Sequence, residues 1–279
     1  MAWGAGKRIP YRNEIDGAAC PRSIVNNHKV LMASSPSVSL PDTLRWFFFD
    51  LDMTLWDHNA ASARTIDTMS ARLGVDPAAF LASYRRITHA IIEEIDRGEI
   101  DVPTSRVVRF ERLLTEFGFD LAAYDVPALS EAYLDDYTAY DGSMDGAREV
   151  LALCARIGGV GVVTNAGHRT QDPKLAQLAE PGTVDWMLTT DETNCLKPAA
   201  KFYDMAEELA GKPDPATVLM VGDDWVNDVC AAVDRGYWAV WISPEPVMPE
   251  PLPRTIHLSS VGELLPHLEP LAGSGAARP

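Results

Sequence analysis

The 279-residue chain is 47% hydrophobic and 23% charged, the balance of an ordinary globular protein. No window nears the roughly 18 uninterrupted apolar residues of a membrane helix, and MAWGAGKRIPYRNEID has no apolar leader core, so neither a membrane anchor nor a secretory signal is expected. Residues 1–44 carry five Lys/Arg against three Asp/Glu and the remainder nineteen against thirty-seven, so the net charge of −16 falls on the body, which repels polyphosphate and argues against a nucleic-acid partner.

Any phosphate chemistry on such a body calls for a local metal cation. The four cysteines, Cys20, Cys154, Cys195 and Cys230, show no C-x-x-C spacing and no histidine at zinc-finger distance. Reduced thiols in a cytoplasmic protein are expected.

Residues 1–44 lack periodicity and contain the loop-like SSPSVSLPD, so a flexible tail is expected there. RWFFFD (45–50) then reads as a buried strand. From about Asn59 to Ala139 come only helical patterns, such as Val107, Phe110, Leu113, Leu114 and Phe117 at three- and four-residue spacing. Four further strand-like runs follow: VGVVTN (160–165), DWMLTT (185–190), TVLMVGD (217–223) and YWAVWIS (237–243). Helical patterns MDGAREVLALCARIG, PAAKFYDMAEELAG and NDVCAAVDRG precede the second, fourth and fifth runs of the whole series, with Gly211 and Gly236 as expected helix stops.

Apolar strands alternating with helices predict an α/β fold, a Rossmann-like parallel sheet with helices on both faces. The expected organisation is a core of residues 45–58 and 140–265, an inserted all-helical cap at 59–139 placed as a lid over the sheet's C-terminal edge, and a second flexible tail at 266–279. Ligands bind at that edge in open α/β sheets.

Four polar features fall at the C-terminal ends of predicted strands: Asp50-Leu51-Asp52-Met53-Thr54; Thr164-Asn165; Lys197-Pro198, opening a helix; and Gly222-Asp223-Asp224 followed by Asp228. Each alone has an ordinary reading as a turn former, a helix cap or a first-turn acid. All four in one order, at one edge of one sheet, resemble the haloacid dehalogenase (HAD) superfamily, over residues 45–245.

The resemblance implies a phosphatase that works through an aspartyl-phosphate, with residues 59–139 where the family places its C1-type cap. It implies Asp50 as nucleophile, with one oxygen also on Mg²⁺, and Asp52 as general acid and base, with its carbonyl on the metal. Thr164 and the Asn165 amide would face the phosphoryl oxygens, and Lys197 would bridge nucleophile and phosphate. Asp223 and Asp228 would complete the metal shell, with Asp224 the less certain acid, and Thr54 would fix the loop. Hard oxygen donors suit Mg²⁺ better than zinc.

Asp52 argues against a dehalogenase, whose halide needs no acid. No lysine lies between Lys29 and Lys174, which removes a cap Schiff base. The expected activity is therefore hydrolysis of a small phosphorylated metabolite, with a sugar-phosphate phosphatase, a phosphomutase and a non-catalytic binding protein as the alternatives. The cap's eight Arg against fourteen Asp/Glu do not suit polyphosphates.

A nucleoside monophosphate is favoured, because Trp56 beside the nucleophile loop could stack on a base. Packing between core and cap is the equal alternative for Trp56. Arg106 and Arg109 could reach a substrate anion, though a solvated face is the commoner reading. His58 and His89 have ordinary readings, and His168 lies near the site without a required role. The sequence sets no oligomeric state.

Overall fold

The computed structural model describes residues 39–273. The expected N-terminal tail lies outside the described residues as far as residue 38, while Leu40 and Leu44 at its end are buried.

Strand β1 (Trp46–Phe49) is followed by four long helices, α1 (His58–Leu73), α2 (Pro77–Asp96), α3 (Val102–Glu116) and α4 (Val126–Ala139). Then come α5 (Ala147–Ile157), β2 (Gly159–Val163), α6 (His168–Leu178), β3 (Trp186–Leu188), the short α7 (Thr190–Thr193), α8 (Ala200–Leu209) and β4 (Val218–Gly222). A π-helical segment (Trp225–Cys230), α9 (Ala231–Asp234), β5 (Trp238–Ile242), β6 (Thr255–Leu258) and α10 (Leu265–Ala272) complete the described chain.

The six strands form one parallel sheet in the order β3-β2-β1-β4-β5-β6. β1 is central: Phe48 pairs with Gly161 of β2 on one side and Met220 of β4 on the other. Successive side chains of a strand point to opposite faces, and Phe47, Phe48 and Phe49 are all fully buried, so both faces are covered. Phe48 packs edge-on against Trp186 at 5.1 Å and against Tyr237 at 6.0 Å between ring centroids. Each such burial contributes about 1.5–3 kcal/mol, so the triplet fixes the residue that follows it, Asp50, in a rigid frame.

Residues Ser62–Tyr137 make a separate compact helical unit. Asp76 and Asp101 cap α2 and α3 by accepting from the amides of Ala79 and Thr104, and a proline in each first turn begins the helix where no amide partner is needed. Inside this unit the Phe110 and Tyr133 rings lie 5.2 Å apart, and the hydroxyl of Tyr84 donates to that of Tyr133 at 2.7 Å.

Gly211 and Gly236 do end helical segments, with φ of 77° and 86° that suit glycine. Three expectations change. β6 was not anticipated; it is a four-residue edge strand behind the proline-rich PEPVMPEPLPR, too short to show a period. NDVCAAVDRG is not one α-helix, because Trp225–Cys230 is π-helical and only Ala231–Asp234 continues as α. The C-terminal stretch from 266 is not a loose end as far as Ala272, since α10 buries Leu268 and Leu271; residues 274–279 lie outside the described residues.

Candidate active site

The parallel register carries four loop starts to one edge of the sheet. The amide of Asp50 donates to Val221 O at 2.9 Å, so Asp50 continues the β1 ladder by one rung. Beyond it the chain turns back sharply. The amides of Leu55 and Trp56 both donate to Leu51 O at 2.9 Å, and Met53 takes a left-handed φ of 66°, uncommon for a residue with a side chain.

The structure brings Asp50, Lys197 and Asp228 together, all buried. The Lys197 ammonium donates to Asp50 Oδ1 at 2.6 Å, to Asp228 Oδ1 at 2.7 Å and to the carbonyl of Val163 at 3.0 Å. Asp223 joins them: one carboxylate oxygen each from Asp50, Asp223 and Asp228 lies within 4.8 Å of the others. Gly222 is required where it stands, because a Cβ there would lie 2.2 Å from Asp228 Oδ2.

This cluster holds three carboxylates against one ammonium, and its proton affinities follow. Burial, then the charges of Asp50 and Asp224, push Asp223 up to about 7. Burial outweighs Lys197 at Asp228, which rises to about 8, and Asp50 is raised as well. Burial alone would weaken the Lys197 charge, yet Asp228 and Asp50 hold it above the usual lysine range. Such a site favours protons or an added cation over three bare charges.

Asp224 is built differently. Its carboxylate caps the π-helical segment, accepting from the amides of Val226 (2.9 Å) and Asn227 (2.8 Å) and from the Asn227 side chain (2.8 Å). Its own amide donates to Asp228 Oδ2 at 3.1 Å. Asp228, not Asp224, is thus the acid that joins Asp50 and Asp223. The Thr54 hydroxyl stands 3.5 Å from Asp223 Oδ1.

Asn165 has its side chain on the backbone of Lys197: Nδ2 donates to Lys197 O at 3.2 Å, and Oδ1 accepts from Lys197 N at 2.7 Å. It fixes the loop that carries the lysine. Thr164, nearly fully buried, accepts at Oγ1 from Gln171 Nε2 at 3.0 Å.

Asp52 has two partners that sequence reasoning missed. Lys174 Nζ donates to its Oδ1 at 2.6 Å, and Gln171 Nε2 donates to its Oδ2 at 2.8 Å. Burial opposes the Asp52 charge, but Lys174 and then His58 outweigh it and hold the carboxyl below the usual range. Burial lowers Lys174 despite Asp52. Gln171, Lys174 and Leu178 are the buried residues of α6, at positions i, i+3 and i+7. That spacing is the signal that was available, but the face is polar, so no hydrophobic period reveals it.

The base-stacking expectation for Trp56 is corrected. The indole is fully buried, with the Lys174 ammonium 4.4 Å from its ring centroid and the Tyr140 ring edge-on at 6.3 Å. No face is left for a base, and packing is its role. His168 contacts Asp172 at 2.7 Å and also Glu192, which raise its pKa. Arg109 lies over the Tyr84 ring at 5.7 Å within the helical unit.

Pyrimidine 5′-nucleotidase YjjG of Escherichia coli K12 is 26% identical over 225 residues, covering 78% of this chain and 95% of the relative. Pyrimidine 5′-nucleotidase PynA of Streptococcus pneumoniae is 27% identical over 204 residues, covering 72% and 84%. The crystal structure of the putative HAD-hydrolase YfnB from Bacillus subtilis, bound to magnesium, superposes with a TM-score of 0.69 at 20% identity, covering 81% of this chain and 99% of that one. Residues 44–234, well over half of the chain, match the sequence model of the haloacid dehalogenase-like hydrolases, and the protein belongs to that family.

Proposed function

We propose that this protein is a Mg²⁺-dependent phosphomonoesterase acting through an aspartyl-phosphate on Asp50. The grouping of Asp50, Asp223 and Asp228 around Lys197, with Asp52 two residues from the nucleophile, carries the reading. Three carboxylates whose proton affinity is raised by crowding are donors suited to a hard divalent cation. Asp50, Asp223 and Asp228 would hold Mg²⁺, with the Asp52 carbonyl as a further donor. When bound, the ion offsets negative charge on the phosphate.

The chain's own groups do the rest. An Asp50 oxygen attacks phosphorus, and the bond to the ester oxygen breaks with its electron pair on that oxygen. Lys197 stabilises charge on the nucleophile and the phosphoryl group, and the Thr164 hydroxyl hydrogen-bonds a phosphoryl oxygen. Asp52 gives its proton to the departing oxygen and later removes one from the water that cleaves the aspartyl-phosphate.

A nucleoside monophosphate is the favoured substrate. With Trp56 buried, that preference rests on the two curated relatives, both pyrimidine 5′-nucleotidases. Phosphate release from nucleoside monophosphates and sugar phosphates, in Mg²⁺ and in EDTA, tests the reading beside Asp50→Asn. Turnover is expected only with Mg²⁺ and intact Asp50. Hydrolysis that survives EDTA or Asp50→Asn removes the mechanism, and transfer to a second sugar hydroxyl instead of water makes the protein a mutase.

A further inference from the structure

We infer that Gln171 and Lys174 are positioning residues for Asp52, a two-point clamp from one helix that sets the direction of its proton transfer. The inference rests on the general acid–base reading of Asp52 given above.

The clamp takes both carboxylate oxygens, one each. Lys174 reaches Oδ1 at 2.6 Å and Gln171 reaches Oδ2 at 2.8 Å. A carboxylate held at one oxygen can still rotate about its last bond, whereas one held at both by donors on successive turns of α6 cannot. The same Gln171 amide donates to Thr164 Oγ1 at 3.0 Å, so a single side chain registers Asp52 against a second site residue. Once Asp52 has given up its proton, the orientation of Gln171 is forced, because an ionised carboxylate only accepts. Gln171 Oε1 is left buried without a hydrogen-bond partner among the described residues, so the local network is arranged for the two acceptors and not for the glutamine.

Burial separates this from a chance surface pair. Gln171 is 0% and Lys174 1% exposed, and a lysine is rarely so deeply placed unless paired. Trp56 walls the ammonium at 4.4 Å. Lys174 thus lies behind Asp52, which itself keeps 29% of its side chain exposed, and acts through it.

In the forward step the Asp50–phosphorus bond forms, the ester P–O bond breaks with its electron pair on the leaving oxygen, and that oxygen takes the Asp52 proton. In the second step the Asp52 carboxylate takes a proton from water as the water oxygen bonds to phosphorus, and the phosphorus bond to Asp50 breaks, restoring both carboxyl groups. An alkoxide needs the first proton, whereas a nitrophenolate leaves without it. Both esters need the second.

The experiment compares uridine 5′-monophosphate with p-nitrophenyl phosphate in Mg²⁺, for wild type, Lys174→Met and Gln171→Leu, with melting curves to confirm folding. For Lys174→Met, kcat/KM for the nucleotide is expected to fall about 10²-fold, the scale of general acid catalysis. For the nitrophenyl ester kcat/KM should change by less than about fivefold, since that ratio excludes the second step. Its kcat should fall, and a stoichiometric burst of nitrophenolate should appear as the aspartyl-phosphate accumulates. Gln171→Leu should show the same pattern, smaller, and carries the test if Lys174→Met does not fold. Equal loss of kcat/KM on both esters with no burst, or no loss on either, overturns the clamp. A wild type inactive on both esters, or activity on either that persists in Asp50→Asn, overturns the underlying phosphatase reading instead.

Discussion

Two buried lysines stand at the same edge of the sheet and do opposite things. Lys197 sits between Asp50 and Asp228 with Asp223 beside them, one positive charge among three carboxylates. Lys174 faces Asp52, one charge against one, with a neutral amide on the second oxygen. The first arrangement raises its acids toward 7 and 8 and so favours an added cation; the second lowers its acid and is complete as it stands. Charge imbalance marks a place built to bind something, and balance marks a place built to hold something still.

Removing each lysine is the strongest way to break that contrast. Lys197→Met should lower kcat by about 10³-fold or more, because it deletes the fixed charge nearest the proposed nucleophile, Asp50, and should do so on good and poor leaving groups alike. Lys174→Met should cost less and discriminate between them. Steady-state kinetics on the two esters decides it; similar profiles for both variants would erase the distinction.

Proton linkage comes next. Asp223 and Asp228 have folded-state pKa values of about 7 and about 8, above the ordinary 3.8. Groups raised in this way contribute stability that is present below about pH 4 and is lost as pH climbs through 7 and 8. Asp52, lowered, contributes above its ordinary value and loses that contribution only as pH falls through its folded value. In EDTA the melting temperature should therefore decline between about pH 5 and 8, and the gain on adding Mg²⁺ should widen over the same range as the ion displaces protons. A gain that is flat or shrinking with pH would contradict the crowded-carboxylate account.

Gly222→Ala is a more local probe, since its Cβ would press on Asp228 Oδ2 at 2.2 Å and touch nothing in the Lys174 pair. A loss of about 1–3 kcal/mol is expected, together with a weaker Mg²⁺ shift in melting temperature. Calorimetry with and without the ion separates the two effects.

What the sequence disclosed depended on how far each signal travels along the chain. Trp46–Phe49 and Val218–Gly222 are buried on both faces, so each is an apolar run readable by itself, and the acids that follow inherit a position at the sheet edge. The Asp50, Thr164, Lys197 and Asp228 set was legible because four short strings keep one order. Gln171 and Lys174 were not, because their helix buries a polar face whose partner is 119 to 122 residues away. Trp56 stays open between base and core for a related reason: an aromatic beside the Asp50–Thr54 string can face ligand or core, and only the placement of Lys174 and Tyr140 decides.

The smallest expected effect separates two neighbouring acids. Asp224 and Asp228 are indistinguishable by composition, yet one directs its carboxylate to the amides of Val226 and Asn227 and the other to Lys197. Asp224→Ala removes a helix cap and should cost about 1 kcal/mol. It keeps the backbone amide that donates to Asp228 Oδ2, so Asp228 stays in place. It also removes a charge that raises Asp223, which should ease ionisation of that proposed ligand and leave the Mg²⁺ affinity within about threefold of wild type. Asp228→Asn, by contrast, replaces one of the cluster's three carboxylates with a neutral amide and should abolish most of the Mg²⁺-dependent gain in melting temperature. Titration of Mg²⁺ against thermal stability in the two variants reads this directly, and an Asp224→Ala protein that loses the metal response as fully as Asp228→Asn would move Asp224 from the cap into the metal site.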